Sequence, residues 1–188
     1  MSSLSKTFDT LEEETGIFEE KVSEIPDYIT RNLNSKFELR YYQEKAIKRF
    51  IYYLENYKNR QKPTHLLYHM ATGSGKTLIM ATNILYLYEK GYNKFIFFVD
   101  STDTIEKTKD NFLNKAATKY LFSENITFSG KNIRVKSVEN FEGVNEEDIN
   151  ILFSTIQGLH FDMNEPKENS ITYEDFENKE IVLISDEA

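Results

Sequence analysis

The chain has 188 residues, of which 39% are hydrophobic and 29% charged: enough for one domain with a real core and too few for two full ones. It contains no cysteine, which excludes a disulfide framework and a thiolate zinc site. The formal net charge of -8 argues against a broad basic surface that grips nucleic acid nonspecifically, while leaving room for a local basic groove. No apolar run approaches the roughly 18 residues of a membrane-spanning helix. The opening stretch MSSLSKTFDT lacks the apolar core of a secretory signal, so a cytoplasmic protein without a membrane partner is expected.

Residues 1–35 are polar and acid-rich. Leu11, Phe18, Val22, Ile25 and Ile29 are spaced loosely as on one helix face, which predicts a helical lead-in docked on the main domain. In the next stretch, Tyr42, Ala46, Phe50, Tyr53 and Leu54 recur at helical spacing. Residues 65–71 (HLLYHMA) form a short apolar run before a glycine loop and read as a strand. His65 and His69 would share one face of it, too far apart to hold one metal ion, and read as structural histidines. LIMATNILYLYEKG is a helix with Gly91 placed for a left-handed cap. FIFFVD is almost continuously apolar, the mark of a parallel strand buried on both faces. Residues 103–121 read as a helix with a capping box at Asp103 and Glu106. Its lysines Lys107, Lys109, Lys115 and Lys119 form either a local positive strip or an ordinary helix surface. IRVKSV, ILFSTIQ and IVLISD read as further strands. The segments 139–149 and 162–180 are acidic connections, and Asn145-Glu-Glu-Asp148 reads as a solvated acidic turn. Strands alternating with helices predict an α/β domain with a parallel sheet.

The most informative stretch is Met70-Ala71-Thr72-Gly73-Ser74-Gly75-Lys76-Thr77, placed between the expected strand and a helix. Glycines let the backbone turn sharply, so that successive N–H groups point at one anion. The positive end of the following helix adds to this. Lys76 has the reach for the β- and γ-phosphates of a nucleotide, and the Thr77 hydroxyl can take a place on Mg²⁺. The general phosphate-loop pattern wants glycine where this chain has Met70. The last stretch, Ile181–Ala188, is an apolar strand running into two carboxylates, Asp186 and Glu187.

Together these stretches resemble superfamily 2 helicase-like ATPases of the DEAD/DEAH type. Thr-Gly-x-Gly-Lys-Thr is the helicase form of the phosphate loop, and Ser185-Asp186-Glu187-Ala188 looks like a DEAH box cut before its last residue. The motor subunit of type III or type I restriction enzymes is the nearest flavour, on Leu39-Arg40-Tyr41-Tyr42-Gln43, on the loop itself and on Ser154-Thr155-Ile156-Gln157. The resemblance covers about residues 36–188. It implies a RecA-like domain truncated within the DEAH box, with residues 1–35 as a helical lead-in.

The same resemblance implies an ATP-dependent DNA translocase or helicase using ATP and Mg²⁺. Thr72, Gly73, Ser74, Gly75, Lys76 and Thr77 would hold the phosphates, and Gln43 the adenine edge, since an amide donates and accepts together. Thr77 and Asp186 would hold the metal; Lys76, Asp186 and Glu187 would be catalytic, with Glu187 as general base. Phe97-Phe98-Val99-Asp100-Ser101 and Phe153-Ser154-Thr155 resemble motifs facing a nucleic-acid backbone, through Ser101, Ser154 and Thr155. Double-stranded DNA and the modification or specificity subunits of a restriction complex are the implied partners. Two alternatives stay open: another superfamily 2 DNA or RNA helicase, and a module that binds nucleotide without turnover. In the resembling family an arginine finger comes from a second RecA-like domain, so these 188 residues by themselves are expected to bind nucleotide and turn over little.

Overall fold

A computed structural model describes residues 24–56, 63–165 and 170–186. Most of the expected helical lead-in, residues 1–23, lies outside the described residues, as does Glu187. The chain divides into two compact units: Met1–Asp27 with Leu39–Ile79, and Tyr28–Glu38 with Met80–Ala188. A short helix α1 (Asp27–Thr30) and the long helix α3 (Lys76–Glu89) run across the two divisions.

In the first unit, helix α2 (Tyr41–Asn56) buries Gln43, Ile47, Phe50, Ile51 and Tyr53. Phe50 and Tyr53 are buried as expected, but the first turn is rotated by one residue: Tyr42 is 41% exposed, while Ala46 and Leu54 are only half-buried. A polar residue can take the buried slot at 43 because both ends of its amide are hydrogen-bonded, which removes the cost of burying it. The ring of Phe50 meets that of Tyr68, with centroids 6.4 Å apart. Residues 65–71 do not form the expected strand. They run without a ladder partner among the described residues, and Leu67 is 86% exposed. An apolar run becomes a strand only when a neighbour accepts its backbone groups. His65 and His69 are both exposed, so they are not buried structural histidines.

The second unit is built on a four-stranded parallel sheet, in the order β4-β5-β1-β6. Its strands are β1 (Lys94–Val99), β4 (Val135–Val138), β5 (Ile149–Thr155) and β6 (Ile181–Ser185). The apolar run of β1 suits its central place: Phe95, Ile96, Phe97 and Val99 are all fully buried. Register places Phe97 beside Phe153 and Ile96 beside Leu152. On the first of these faces, Phe97, Phe153 and Phe112 of helix α4 (Thr102–Leu113) form a ring cluster with centroids 5.7–6.3 Å apart. Each such pair contributes about 0.5–1.5 kcal/mol beyond its buried area. On the other face, Ile96 and Leu152 pack with Phe141 and Ile171, joined by Leu159 of helix α5 (Ile156–Asn164) and Phe176 of helix α6 (Tyr173–Asn178).

Helix α4 is shorter than the pattern over 103–121 predicts and ends at Leu113. The Asn114 side chain turns back to Asp110 and also accepts from the Ala116 N–H, so the chain leaves the helix through a side-chain-capped turn. The expected capping box at Asp103 and Glu106 is absent; Ser101 occupies the cap position instead, and Glu106 pairs with Lys109. A reciprocal cap occurs at α6, where the Asp175 carboxylate accepts from the Thr172 N–H at 2.9 Å. The strand expected over 133–138 is two strands. Residues up to Ile133 belong to a hairpin of β2 (Ile126–Phe128) and β3 (Lys131–Ile133), and β4 pairs with β5. Ser129 and Gly130 both have positive φ, the two-residue turn that matches strand twist. Asn32, 1% exposed, acts as one more rung on that hairpin: its amide donates to the Thr127 carbonyl and accepts from the Thr127 N–H, both at 2.9 Å.

The acidic stretch 145–148 is a turn whose Asn145, Glu146 and Glu147 are exposed, as expected, but its last residue is buried. Asp148 is 5% exposed and accepts from the Arg134 N–H (3.0 Å), Asn145 Nδ2 (3.0 Å) and Lys136 Nζ (2.6 Å). Burial alone would raise its pKa, but those donors outweigh burial and hold it below the ordinary carboxylate value. The lowered folded pKa means that the stabilisation is present above the unfolded pKa of about 4 and is lost as pH falls through the folded value. Asp148→Ala is expected to cost about 1–3 kcal/mol at pH 7, since it removes the shared acceptor of the Arg134 N–H, Asn145 Nδ2 and Lys136 Nζ. Urea denaturation of both proteins from pH 7 downward should show the gap narrowing below about pH 4. A gap that stays constant with pH would assign the loss to packing.

Candidate functional site

The glycine loop turns as the sequence requires. Gly73 has φ 77 and Gly75 φ 86, a region that side chains other than glycine enter at a cost. The Ser74 N–H closes a tight turn onto the Ala71 carbonyl at 3.2 Å. Helix α3 begins at Lys76, and the Gly75 carbonyl accepts the first helical bonds, from Leu78 and Ile79. The preceding N–H groups, those of Gly75, Lys76 and Thr77, have no acceptor among the described residues. The Ser74 hydroxyl is buried and likewise without a partner among them. No carboxylate among the described residues pairs with Lys76. Three adjacent orphan donors at a helix N-terminus beside an uncompensated ammonium fit a polyphosphate: each donor gains an acceptor, and the helix dipole has the right sign. At its far end α3 closes as expected, with Gly91 at φ 97 and the Tyr92 N–H donating to Leu87 at 3.0 Å.

Gln43 lies against this loop. Its Nε2 donates to the Ser74 carbonyl at 2.8 Å, and its Oε1 accepts from the Arg40 N–H at 2.9 Å. It is 3% exposed, and one amide hydrogen and one lone pair remain for a further partner. A Cβ on Gly75 would collide with Gln43 Nε2, so a side chain at 75 would force that amide to shift, on top of the strain of positive φ. Tyr42, expected on the apolar stripe of its helix, instead reaches the Ser74 carbonyl through its hydroxyl at 3.0 Å.

The other expected residues gather at the carboxyl ends of the sheet strands. Val99 is level with Thr155 and Phe98 with both Ser154 and Ser185, and the Asp186 N–H continues the ladder onto Phe98 at 3.3 Å. Ser101, Ser154, Thr155 and Asp186 therefore share one edge, the edge at which parallel α/β sheets bind ligands. Two of these hydroxyls head helices. Thr155 Oγ1 accepts from the Gly158 N–H at 2.9 Å as the cap of α5, worth about 1 kcal/mol. Ser101 caps α4 by position and shares a 2.9 Å bond with Thr104. Ser154 spends its hydrogen on the Thr155 carbonyl at 3.1 Å, whereas Thr155 keeps its own. Gly158 was also missed by the sequence reading: a Cβ there would lie 3.0 Å from both the Ser154 and Thr155 hydroxyls. Of the lysines that follow Ser101, Lys109 pairs with Glu106 and Lys115 donates to the Glu124 carbonyl, so neither is a free contribution to a positive strip.

No helix among the described residues is long and apolar enough to cross a membrane. No solved structure matches the chain. A curated relative, "Probable type III restriction-modification enzyme HindVIP Res subunit" of Haemophilus influenzae, is 36% identical over 170 residues. That alignment covers 87% of this chain and 32% of the relative, so the chain spans about a third of that protein. The family described as "Type III restriction enzyme, res subunit" matches residues 36–188. With the parallel sheet, these matches show that the chain belongs to the type III restriction enzyme Res-subunit family and has its RecA-like, superfamily 2 helicase-type α/β fold.

Proposed function

We propose that this chain carries the ATP-binding part of an ATP-dependent DNA translocase, the motor of a type III restriction complex. The observation that carries the reading is the set of orphan N–H groups of Gly75, Lys76 and Thr77 at the start of α3. Thr72, Gly73, Ser74 and Gly75 wrap the phosphates, and Lys76 neutralises their charge. Gln43 has a hydrogen and a lone pair left with which to read an adenine edge. Mg²⁺ would supply charge neutralisation on the phosphates, and the Thr77 hydroxyl is a side chain that would hold it. Glu187 takes the proton of the attacking water. Ser101, Ser154 and Thr155 face the DNA backbone, with Thr155 as a hydroxyl donor and the N-termini of α4 and α5 favouring phosphate. The relative's name describes a Res subunit of a restriction-modification enzyme, which supports duplex DNA and a modification subunit as partners.

The test is steady-state phosphate release by the full-length protein with its modification subunit, with and without duplex DNA, using ATP and GTP. DNA-stimulated hydrolysis of ATP, with GTP used poorly, is the expected result. Turnover that ignores DNA would remove the motor reading, and equal use of GTP would remove the adenine role of Gln43.

A further inference from the structure

The Ser74 carbonyl is held by two side chains of helix α2, and the second of them is not among the residues that the ATP-binding reading uses. Tyr42 Oη donates to it at 3.0 Å and Gln43 Nε2 at 2.8 Å. Both donors are themselves fixed. Arg40 Nη1 donates to the Tyr42 hydroxyl at 2.9 Å, which leaves the phenol hydrogen for Ser74, and the Arg40 N–H holds Gln43 Oε1 at 2.9 Å. The chain Arg40, Tyr42, Gln43 and Ser74 thus closes on one atom.

That atom matters because of the peptide plane. The Ser74 C=O and the Gly75 N–H belong to one planar peptide unit, in which they point in opposite directions. Glycine at 75 with φ 86 leaves this plane easy to rotate, so the loop by itself does not set the direction of that N–H. Two donors on the carbonyl set it. The Gly75 N–H is then turned away from α2, and it has no acceptor among the described residues.

We propose that Tyr42 is a positioning residue of the phosphate loop: together with Gln43 it locks the Ser74–Gly75 peptide so that the Gly75 N–H is presented to a polyphosphate. This rests on the ATP-binding reading. Tyr42 touches no phosphate; it acts through the backbone. Its hydroxyl, 41% exposed with its ring, serves this purpose without being needed for the core.

Tyr42→Phe keeps the ring and removes the donor. Loss of one hydrogen bond that orders the loop is expected to weaken ATP, ADP and tripolyphosphate binding about 3- to 10-fold. AMP, which lacks the phosphates beyond the first, should bind as before, and the melting temperature should stay within the range of a surface change. Titration calorimetry of the full-length protein with each ligand reads this, with Lys76→Ala as reference. If Lys76→Ala loses ATP while Tyr42→Phe keeps wild-type affinity for every ligand, the positioning role is wrong and ATP binding stands. An equal loss for AMP and ADP also overturns the proposal, since it places the effect on the base or on the fold. If Lys76→Ala binds ATP like the wild type, the ATP-site reading itself fails.

Discussion

Lys76→Ala is expected to weaken ATP binding roughly 100-fold or more, the largest single effect in the site. The lysine opens helix α3, beside three backbone N–H groups without acceptors and with no carboxylate partner among the described residues. Its charge is therefore uncompensated until an anion arrives. A hydrogen bond to a charged group contributes about 1.5–3 kcal/mol, and the alanine variant loses the long-range attraction to the triphosphate as well. Calorimetric titration with Mg-ATP measures the loss, and Lys76→Arg, which keeps the charge, should recover part of it. Unchanged affinity in a folded Lys76→Ala protein would remove the phosphate-loop assignment.

Gly75→Ala should be nearly as damaging, and for a reason that separates it from the other loop glycine. At Gly73 the backbone has φ 77 but nothing lies within 4 Å of an added Cβ, so only backbone strain of about 1–2 kcal/mol is expected. At Gly75 the same strain adds to a collision with Gln43 Nε2. The amide must move, which gives up its bonds to Ser74 and Arg40 and frees the peptide it holds. A stability loss of about 2–4 kcal/mol is expected, together with a loss of ATP affinity somewhat smaller than that of Lys76→Ala. Thermal denaturation of Gly75→Ala, Gln43→Ala and the double variant tests the cause. Removing the amide should relieve part of the Gly75→Ala penalty, so that the two changes together cost less than their sum. Strict additivity would show that the close approach is not what requires glycine.

Much of this architecture is written locally. The apolar run at 95–99 can only be a strand buried on both faces, and it is the centre of the sheet. Gly91 ends α3 because the left-handed cap needs a residue without Cβ. Glycines at 73 and 75 followed by Lys76 and Thr77 define a loop-to-helix turn within a few residues, so its geometry follows from short-range sterics. Even the hairpin at 126–133, which the sequence reading passed over, has a local signal in Ser129-Gly130.

Other features depend on partners distant in sequence. The run at 65–71 has the hydrophobicity of a strand, but strand formation is a property of a pair of strands, and the run joins no ladder among the described residues. Asp148 looks like one more acid in a solvated turn; Arg134 and Lys136 make it a buried anchor. Thr155 and Ser154 read from sequence as contacts to nucleic acid, and only folding shows that one heads a helix and the other has already spent its hydrogen.

By itself, then, the sequence determined the α/β class, the glycine turn into a helix and the order of the strand-end residues, because each rests on periodicity or on steric rules spanning a few residues. The tertiary structure alone decided which atom Tyr42 and Gln43 hold. Their target is a carbonyl about thirty positions away in the chain, and a backbone carbonyl is carried by every residue type, so no residue at 74 could announce it.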